Sequence, residues 1–165
     1  MNGQSYLQTG QTTCHDILGR RIPCSGTGQD GEFFQGKPWP QPRFLTVGES
    51  VIDRLTNLAW LRTADLTKEP VTWDQAIKSL EGLNQDRKKI PWRLPNINEL
   101  ESLVDAGRHS PALPQGHPFL EVREEYWSST TSMFEPDWGH FYPGRPLSRL
   151  NALRLTTKSC QSCLF

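Results

Sequence analysis

The stretch WRLPNINELESLVD, residues 92–105, has the pattern of a capped, short amphipathic helix. Asn96 is a preferred N-cap residue, and Glu99, three positions later, can complete a capping box. The apolar residues that follow recur at helical spacing and define a buried face: Ile97, Leu100, Leu103 and Val104. Gly107 suits the position after the helix C-terminus. Because the helix carries no obvious catalytic group, we interpret it as architectural, with Trp92 as a core anchor.

A second helix is predicted earlier in the chain. Thr72 and Gln75 also have the capping-box spacing. One apolar stripe follows them: Trp73, Ala76, Ile77, Leu80 and Leu83. The sequence therefore contains two predicted helices, each with its own start signal.

Strand-like segments flank the two predicted helices. Residues 44–62 are rich in strand formers and contain turn candidates at Gly48-Glu49 and Thr56-Asn57, which predicts a hairpin. Residues 110–122 are punctuated by proline and predict a loop. Residues 124–132, EEYWSSTTS, predict a strand rich in Tyr, Trp and Thr.

Size and charge limit the classes of function. The 165 residues fit one domain, 1–165, and 18 basic residues balance 18 acidic ones. A pI near 6.9 excludes the basic footprint of a nucleic-acid-binding domain. No apolar run reaches 18 residues, so no membrane span is predicted. The N-terminus has no visible signal segment, so either the protein is cytoplasmic or such a segment was removed.

The cysteines lie near the two ends of the chain. An even number in a sequence rich in Gly and Pro favours disulfides, although three pairings and fully reduced thiols stay open. The four are Cys14, Cys24, Cys160 and Cys163. Residues 1–43 are predicted to form an irregular segment, which a Cys14–Cys24 disulfide would stabilise.

Several motifs together resemble a known family. They are TGQTTCHD (9–16), IPCSGTGQDGE (22–32), VIDRLTNLAWL (51–61), TWDQAIKSLEGLN (72–84), WRLPNINELESLVD (92–105) and YWSSTT (126–131). This ordered set is similar to the bacterial family named for the C-terminal domain of the Legionella collagen-like adhesin. The resemblance implies an α+β, C-type-lectin-like fold, related to that of formylglycine-generating enzymes. It would have two helices packed on twisted antiparallel strands, with many loops. It also implies oxidised cysteines and an extracytoplasmic location.

The C-terminal tail, residues 135–165, departs from that family. Members usually continue through aromatic strands to a last strand of alternating Val and Arg around a Cys. Here ALRL (152–155) is the nearest equivalent. The tail is therefore interpreted as divergent, in a region where lectin-like folds commonly form their ligand surface.

The tail nevertheless holds the candidate ligand-binding residues. EPDW (135–138) resembles the calcium-and-sugar motif of C-type lectins, in which hard carboxylate oxygens bind Ca²⁺ and sugar hydroxyls. Glu135 and Asp137 are the candidate metal ligands, and calcium the one cofactor considered. The predicted ligand-binding residues are Glu135, Asp137, Trp138, His140, Phe141 and Tyr142.

Motifs for catalysis are weak. CQSC (160–163) has two residues after it, so no helix N-terminus follows to stabilise a thiolate as in thioredoxin-like proteins. The sequence contains no HExxH zinc motif, no GxSxG nucleophile motif and no phosphate-binding loop motif.

We therefore expect a non-catalytic, extracytoplasmic binding module for a glycan or a cell-surface protein. Alternatives are an enzyme of the formylglycine-generating or metal-assisted type, and a structural envelope domain. Homo-oligomerisation is left open.

Overall fold

The computed structural model describes residues 6–85, 91–131 and 152–154, and within them the protein is α+β. Three antiparallel sheets pair β1 with β2, β3 with β4 and β5, and β6 with β7. The elements in chain order are β1 (Cys14–His15), β2 (Arg21–Ile22), α1 (Asp30–Phe33), β3 (Phe44–Val47), β4 (Ser50–Asp53), β5 (Leu58–Leu61), α2 (Trp73–Leu83), α3 (Ile97–Glu101), β6 (Glu125–Trp127) and β7 (Ala152–Arg154).

The segment predicted as a hairpin is a three-stranded meander. Both predicted turns form, since Val47 pairs with Ser50 and Asp53 pairs with Leu58. Gly48 and Asn57 occupy these turns with positive φ of 58° and 61°. Gly and Asn tolerate that left-handed conformation better than other residues, which explains why the chain reverses at these two points.

Both predicted capping boxes are present. The Thr72 hydroxyl accepts a hydrogen bond from the Gln75 amide, and Asn96 Oδ1 accepts one from the Glu99 amide at 2.9 Å. Each N3 side chain also accepts a hydrogen bond from the amide of its N-cap residue. The starts of α2 and α3 were thus correctly predicted.

The predicted end of α3 was wrong. The helix ends at Glu101 rather than near Gly107, because later amides find other acceptors. Asp105 N donates to Ala112 O, and Ala106 N donates to Thr9 O. Gly107 N donates to the Asp105 carboxylate at 2.9 Å, so this glycine belongs to a turn.

The hydrophobic core forms where α3, the meander and the proline-rich loop meet. Its buried members are Val51, Leu100, Leu103, Leu113 and Phe119. The Phe44 and Phe119 rings meet edge to face at 5.3 Å. The prediction of Trp92 as a core anchor was wrong: its side chain is half-buried and is not part of this cluster.

A buried ion pair joins β3 to β4. Asp53 is fully buried, and Arg43 contacts its carboxylate at 3.1 Å through Nε and at 2.9 Å through Nη2. Arg43 Nη2 also donates to Ser102 O, after α3, and the guanidinium lies 4.7 Å from the centre of the Trp39 ring. One arginine therefore links the N-terminal segment, the meander and α3.

The N-terminal segment, residues 6–43, contains short elements as well as loops. A disulfide joins Cys14 and Cys24 across the β1–β2 pair, which is one of the pairings that the sequence allowed. Cys160 and Cys163 lie outside the described residues. A Cβ on Gly31 would lie 2.8 Å from Thr13 O, so α1 can pack this closely on β1 because position 31 is glycine.

No helix among residues 6–85, 91–131 and 152–154 is long and apolar enough to cross a membrane.

Candidate ligand cleft

All six predicted ligand-binding residues lie outside the described residues: Glu135, Asp137, Trp138, His140, Phe141 and Tyr142. Their roles, and the calcium site at Glu135 and Asp137, stay predictions. In the part of the chain that the structure describes, no group of three or more His, Cys, Asp or Glu side chains could hold a metal ion.

The described residues form a large open cleft, which we call the central cleft. Its volume is about 1350 Å³, and its walls are β4, β5, residues 63–71, α2, residues 91–95 and β6. Small-molecule sites commonly enclose about 300–1,000 Å³, so the central cleft is large enough for an extended ligand.

The floor of the central cleft is formed by buried residues of the hydrophobic core. Leu100, Leu103, Leu113 and Phe119 all line it as well as belonging to the core cluster. The core is therefore covered on one side by the meander and α3, and borders the central cleft on another. An apolar floor of this kind binds ligands that also present an apolar face.

Aromatic side chains form part of the walls. Trp60, Trp92 and the adjacent pair Tyr126 and Trp127 come from three separate stretches of the chain. The Trp127 indole is held by a 2.8 Å hydrogen bond from Nε1 to Val71 O. Trp92 is held through its backbone, because its amide donates to Asn84 Oδ1 and its carbonyl accepts from Asn84 Nδ2, both at 2.7 Å.

Two indole groups differ in how their N–H is used. Trp73 Nε1, at the start of α2, donates to Ser128 O at 2.8 Å and so ties α2 to the segment after β6. Trp60 Nε1 is buried without a hydrogen-bond partner among the described residues. The buried Trp60 N–H therefore has no acceptor among the described residues, although the indole lines the cleft.

Two arginine–carboxylate pairs lie on the rim. Arg93 contacts both Glu99 oxygens, and this hydrogen bonding lowers the pKa of Glu99 and raises that of Arg93. Arg123 contacts Asp65 through Nε and Nη2, which raises the pKa of Arg123. Both guanidinium groups are more than half exposed, so they can also reach a ligand.

The remaining rim charges are acidic. The cleft lining contains the carboxylates of Asp65, Glu69, Glu99, Glu124 and Glu125, against the guanidinium groups of Arg93 and Arg123. Among the described residues, the lining thus holds five carboxylates and two guanidinium groups. It favours neutral or cationic ligands over strongly anionic ones.

Tyr126 is a half-buried phenol in the cleft wall. Burial raises its pKa, and its hydroxyl oxygen accepts a 2.6 Å hydrogen bond from the Arg123 amide. The phenol is therefore neutral near pH 7. It positions the chain at the start of β6 instead of acting as a base.

Sequence reasoning did not identify this site. Trp92 was interpreted as core, and Trp60 as a strand former. The excess of tryptophan, six in 165 residues, was the available signal. It does not show which indoles lie together, because Trp60, Trp92 and Trp127 are more than 30 positions apart.

The family comparison covers most of the cleft. Residues 49–148 match the model of the family described as the Lcl C-terminal domain, which is more than half of the chain. No curated protein and no solved structure matches the chain.

Proposed function

The chain belongs to the Lcl C-terminal domain family, and from this premise we propose that it is a non-catalytic binding module that takes a glycan or a cell-surface protein in its central cleft. The observation that carries the proposal is the combination of an apolar floor, indole walls and a charged rim. Sugars have apolar C–H faces that stack on aromatic rings, and hydroxyls that bond to carboxylates and guanidinium groups.

Charge narrows the class of glycan. The excess of carboxylates in the lining would repel sulfated or other strongly anionic chains. Neutral or amino sugars suit this rim better. The net charge of zero for the whole chain agrees with this preference.

We further propose a C-type-lectin-like arrangement over one domain, residues 1–165. Support comes from the two capped helices, the antiparallel pairing of every described strand, and the long loops between them. Under this proposal Glu135, Asp137 and Trp138, which lie outside the described residues, would contribute ligand contacts, with Ca²⁺ as the cofactor of Glu135 and Asp137.

The location proposed for the module is outside the cytoplasm. Family membership and the Cys14–Cys24 disulfide are compatible with an extracellular location. Disulfides persist in oxidising compartments and are rare in reducing ones.

A glycan array tests the proposal, with oxidised protein screened once in calcium and once in chelator. We expect neutral or amino sugars to bind, and Trp92→Ala to weaken binding at least tenfold. This variant should lower the free energy of unfolding by only about 1–2 kcal/mol, because the side chain is half-buried. Phe33→Ala, which removes an exposed aromatic group outside the cleft, is the matched control.

The outcomes separate the parts of the proposal. Binding that needs calcium would assign a role to Glu135 and Asp137, and binding that does not would place recognition in the central cleft alone. Equal loss in Trp92→Ala and Phe33→Ala would contradict the cleft as the site. An array without binding in either buffer would overturn the glycan assignment.

A further inference from the structure

The turn between β1 and β2 exposes two large aliphatic side chains. Ile17 is 101% exposed and Leu18 is 71% exposed, and we call this pair the apolar tip. Turns are normally occupied by Gly, Asn, Asp, Ser or Pro, which lose nothing by facing water. Adjacent aliphatic residues at these exposures form one contiguous apolar patch, which suits a contact surface for a partner.

The apolar tip is held in a fixed shape. The Asp16 carboxylate accepts hydrogen bonds from the amides of Leu18 and Arg20, both at 2.9 Å, and from Arg20 Nε at 2.7 Å. Gly19 closes the turn with a positive φ of 75°, and its amide donates to Asp16 O. The pair of strands beneath is joined by the disulfide.

This fixed shape matters for binding. A surface that already has its bound conformation loses less conformational entropy on binding. A small apolar surface that is preorganised therefore binds a partner more tightly than a flexible one of the same area. The hydrogen bonds of the turn therefore hold the apolar tip in one conformation, in which a partner can bind it.

Charge indicates the kind of partner. Arg20 and Arg21 follow the apolar tip and are both exposed. Asp16, the nearest acidic group, is paired with Arg20. A complementary partner would present an apolar pocket with an acidic rim.

The central cleft of the same chain has these properties. Its floor is apolar, carboxylates outnumber guanidinium groups among the described residues of its lining, and about 1350 Å³ exceeds what two aliphatic side chains need. Within one molecule the apolar tip does not occupy the cleft, since Ile17 is fully exposed. We propose that the apolar tip of one copy docks in the central cleft of a second copy.

Such a contact is heterologous, because it joins two different surfaces of the same chain. After the first contact one copy keeps a free cleft and the other keeps a free tip, so further copies can add to form a ring or an open chain. Ligand in the cleft and a docked tip would exclude one another.

Sedimentation velocity over a concentration series is the first test. We expect the average mass of the wild-type protein to rise above 18.8 kDa with concentration. Ile17→Ser combined with Leu18→Ser should weaken this assembly at least tenfold without changing the thermal midpoint. Leu45→Ser removes an exposed aliphatic group elsewhere and should assemble as the wild type does.

A mixing experiment identifies the second surface. Glu69→Lys combined with Glu124→Lys reverses the exposed rim charges and leaves the apolar tip intact. This variant and the tip variant should each stay monomeric alone. Mixed, they should form a one-to-one dimer, because one supplies the tip and the other supplies the cleft.

Several results would overturn the proposal. They are a wild-type protein that is monomeric at every concentration, a tip variant that still assembles, and defective variants that do not complement each other. Binding of the wild type, but not the tip variant, to phosphatidylglycerol vesicles without self-association would instead assign the apolar tip to a lipid surface.

Discussion

The N-terminal segment, residues 6–43, and the central part, residues 44–131, are both rich in loops but are stabilised by different interactions. The central part holds the apolar cluster and Asp53, the fully buried member of the ion pair. The N-terminal segment is held by a disulfide and by side chains bonded to backbone amides. Five of its glycines have positive φ, compared with two in the central part. The comparison teaches that covalent and local polar bonds can fix a segment that buries little apolar surface.

Asp53→Ala should give the largest loss of stability in the central part. It leaves Arg43 buried without its carboxylate, and it also removes the acceptor of the Leu55 amide and the Thr56 hydroxyl. Breaking a buried ion pair by removing one partner costs about 3–5 kcal/mol. Urea unfolding measures the change, with Glu49→Gln, at an exposed position in the turn between β3 and β4, as control. A loss below about 1 kcal/mol would contradict the central role assigned to the ion pair.

Removing the disulfide should affect the other region. Cys14→Ser combined with Cys24→Ser is expected to cost about 2–3 kcal/mol, because a short loop is no longer closed in the unfolded chain. Hydrogen exchange should speed up in β1, β2 and α1, while amides of β4 and α3 stay protected. Equal loss of protection in both regions would show that they unfold as one unit.

The smallest expected effect is a pH dependence in the central part. Burial lowers the pKa of His117 from its usual value of about 6.5, and the ring packs 6.0 Å from Phe119. The unfolded chain therefore binds a proton at a higher pH than the folded protein does. The free energy of unfolding should fall as the pH decreases below about 6.5.

His117→Gln tests this pH dependence. The variant should flatten the dependence below about pH 6.5. The measurement is urea unfolding at a series of pH values. An identical slope in wild type and His117→Gln would remove His117 from the explanation.

The sequence predicted best what depends on neighbouring residues. The capping boxes at Thr72 and Asn96, and the turns at Gly48 and Asn57, involve groups within a few positions of each other. The end of α3 could not be predicted, because the amide of Ala106 bonds to Thr9, far away in sequence. Long-range acceptors of this kind override helix propensity.

The candidate site was harder to predict for the same reason. Trp60, Trp92 and Trp127 all line the cleft, and no local sequence pattern predicts that these three residues share one site. The residues that the sequence did favour, from Glu135 to Tyr142, lie outside the described ranges and stay predictions. The family resemblance was confirmed, because it rests on ordered motifs rather than on one contact.

The buried Arg43 also has a consequence for where this domain can be cut. The family match begins at residue 49, six positions after Arg43. A fragment trimmed to residues 49–148 would keep Asp53 in the meander but discard its cation and strand β3. The carboxylate would then have to be buried unpaired or pull the sheet open to water. We therefore expect a fragment that folds by itself to include Arg43, and so to extend further towards the N-terminus than the family match does.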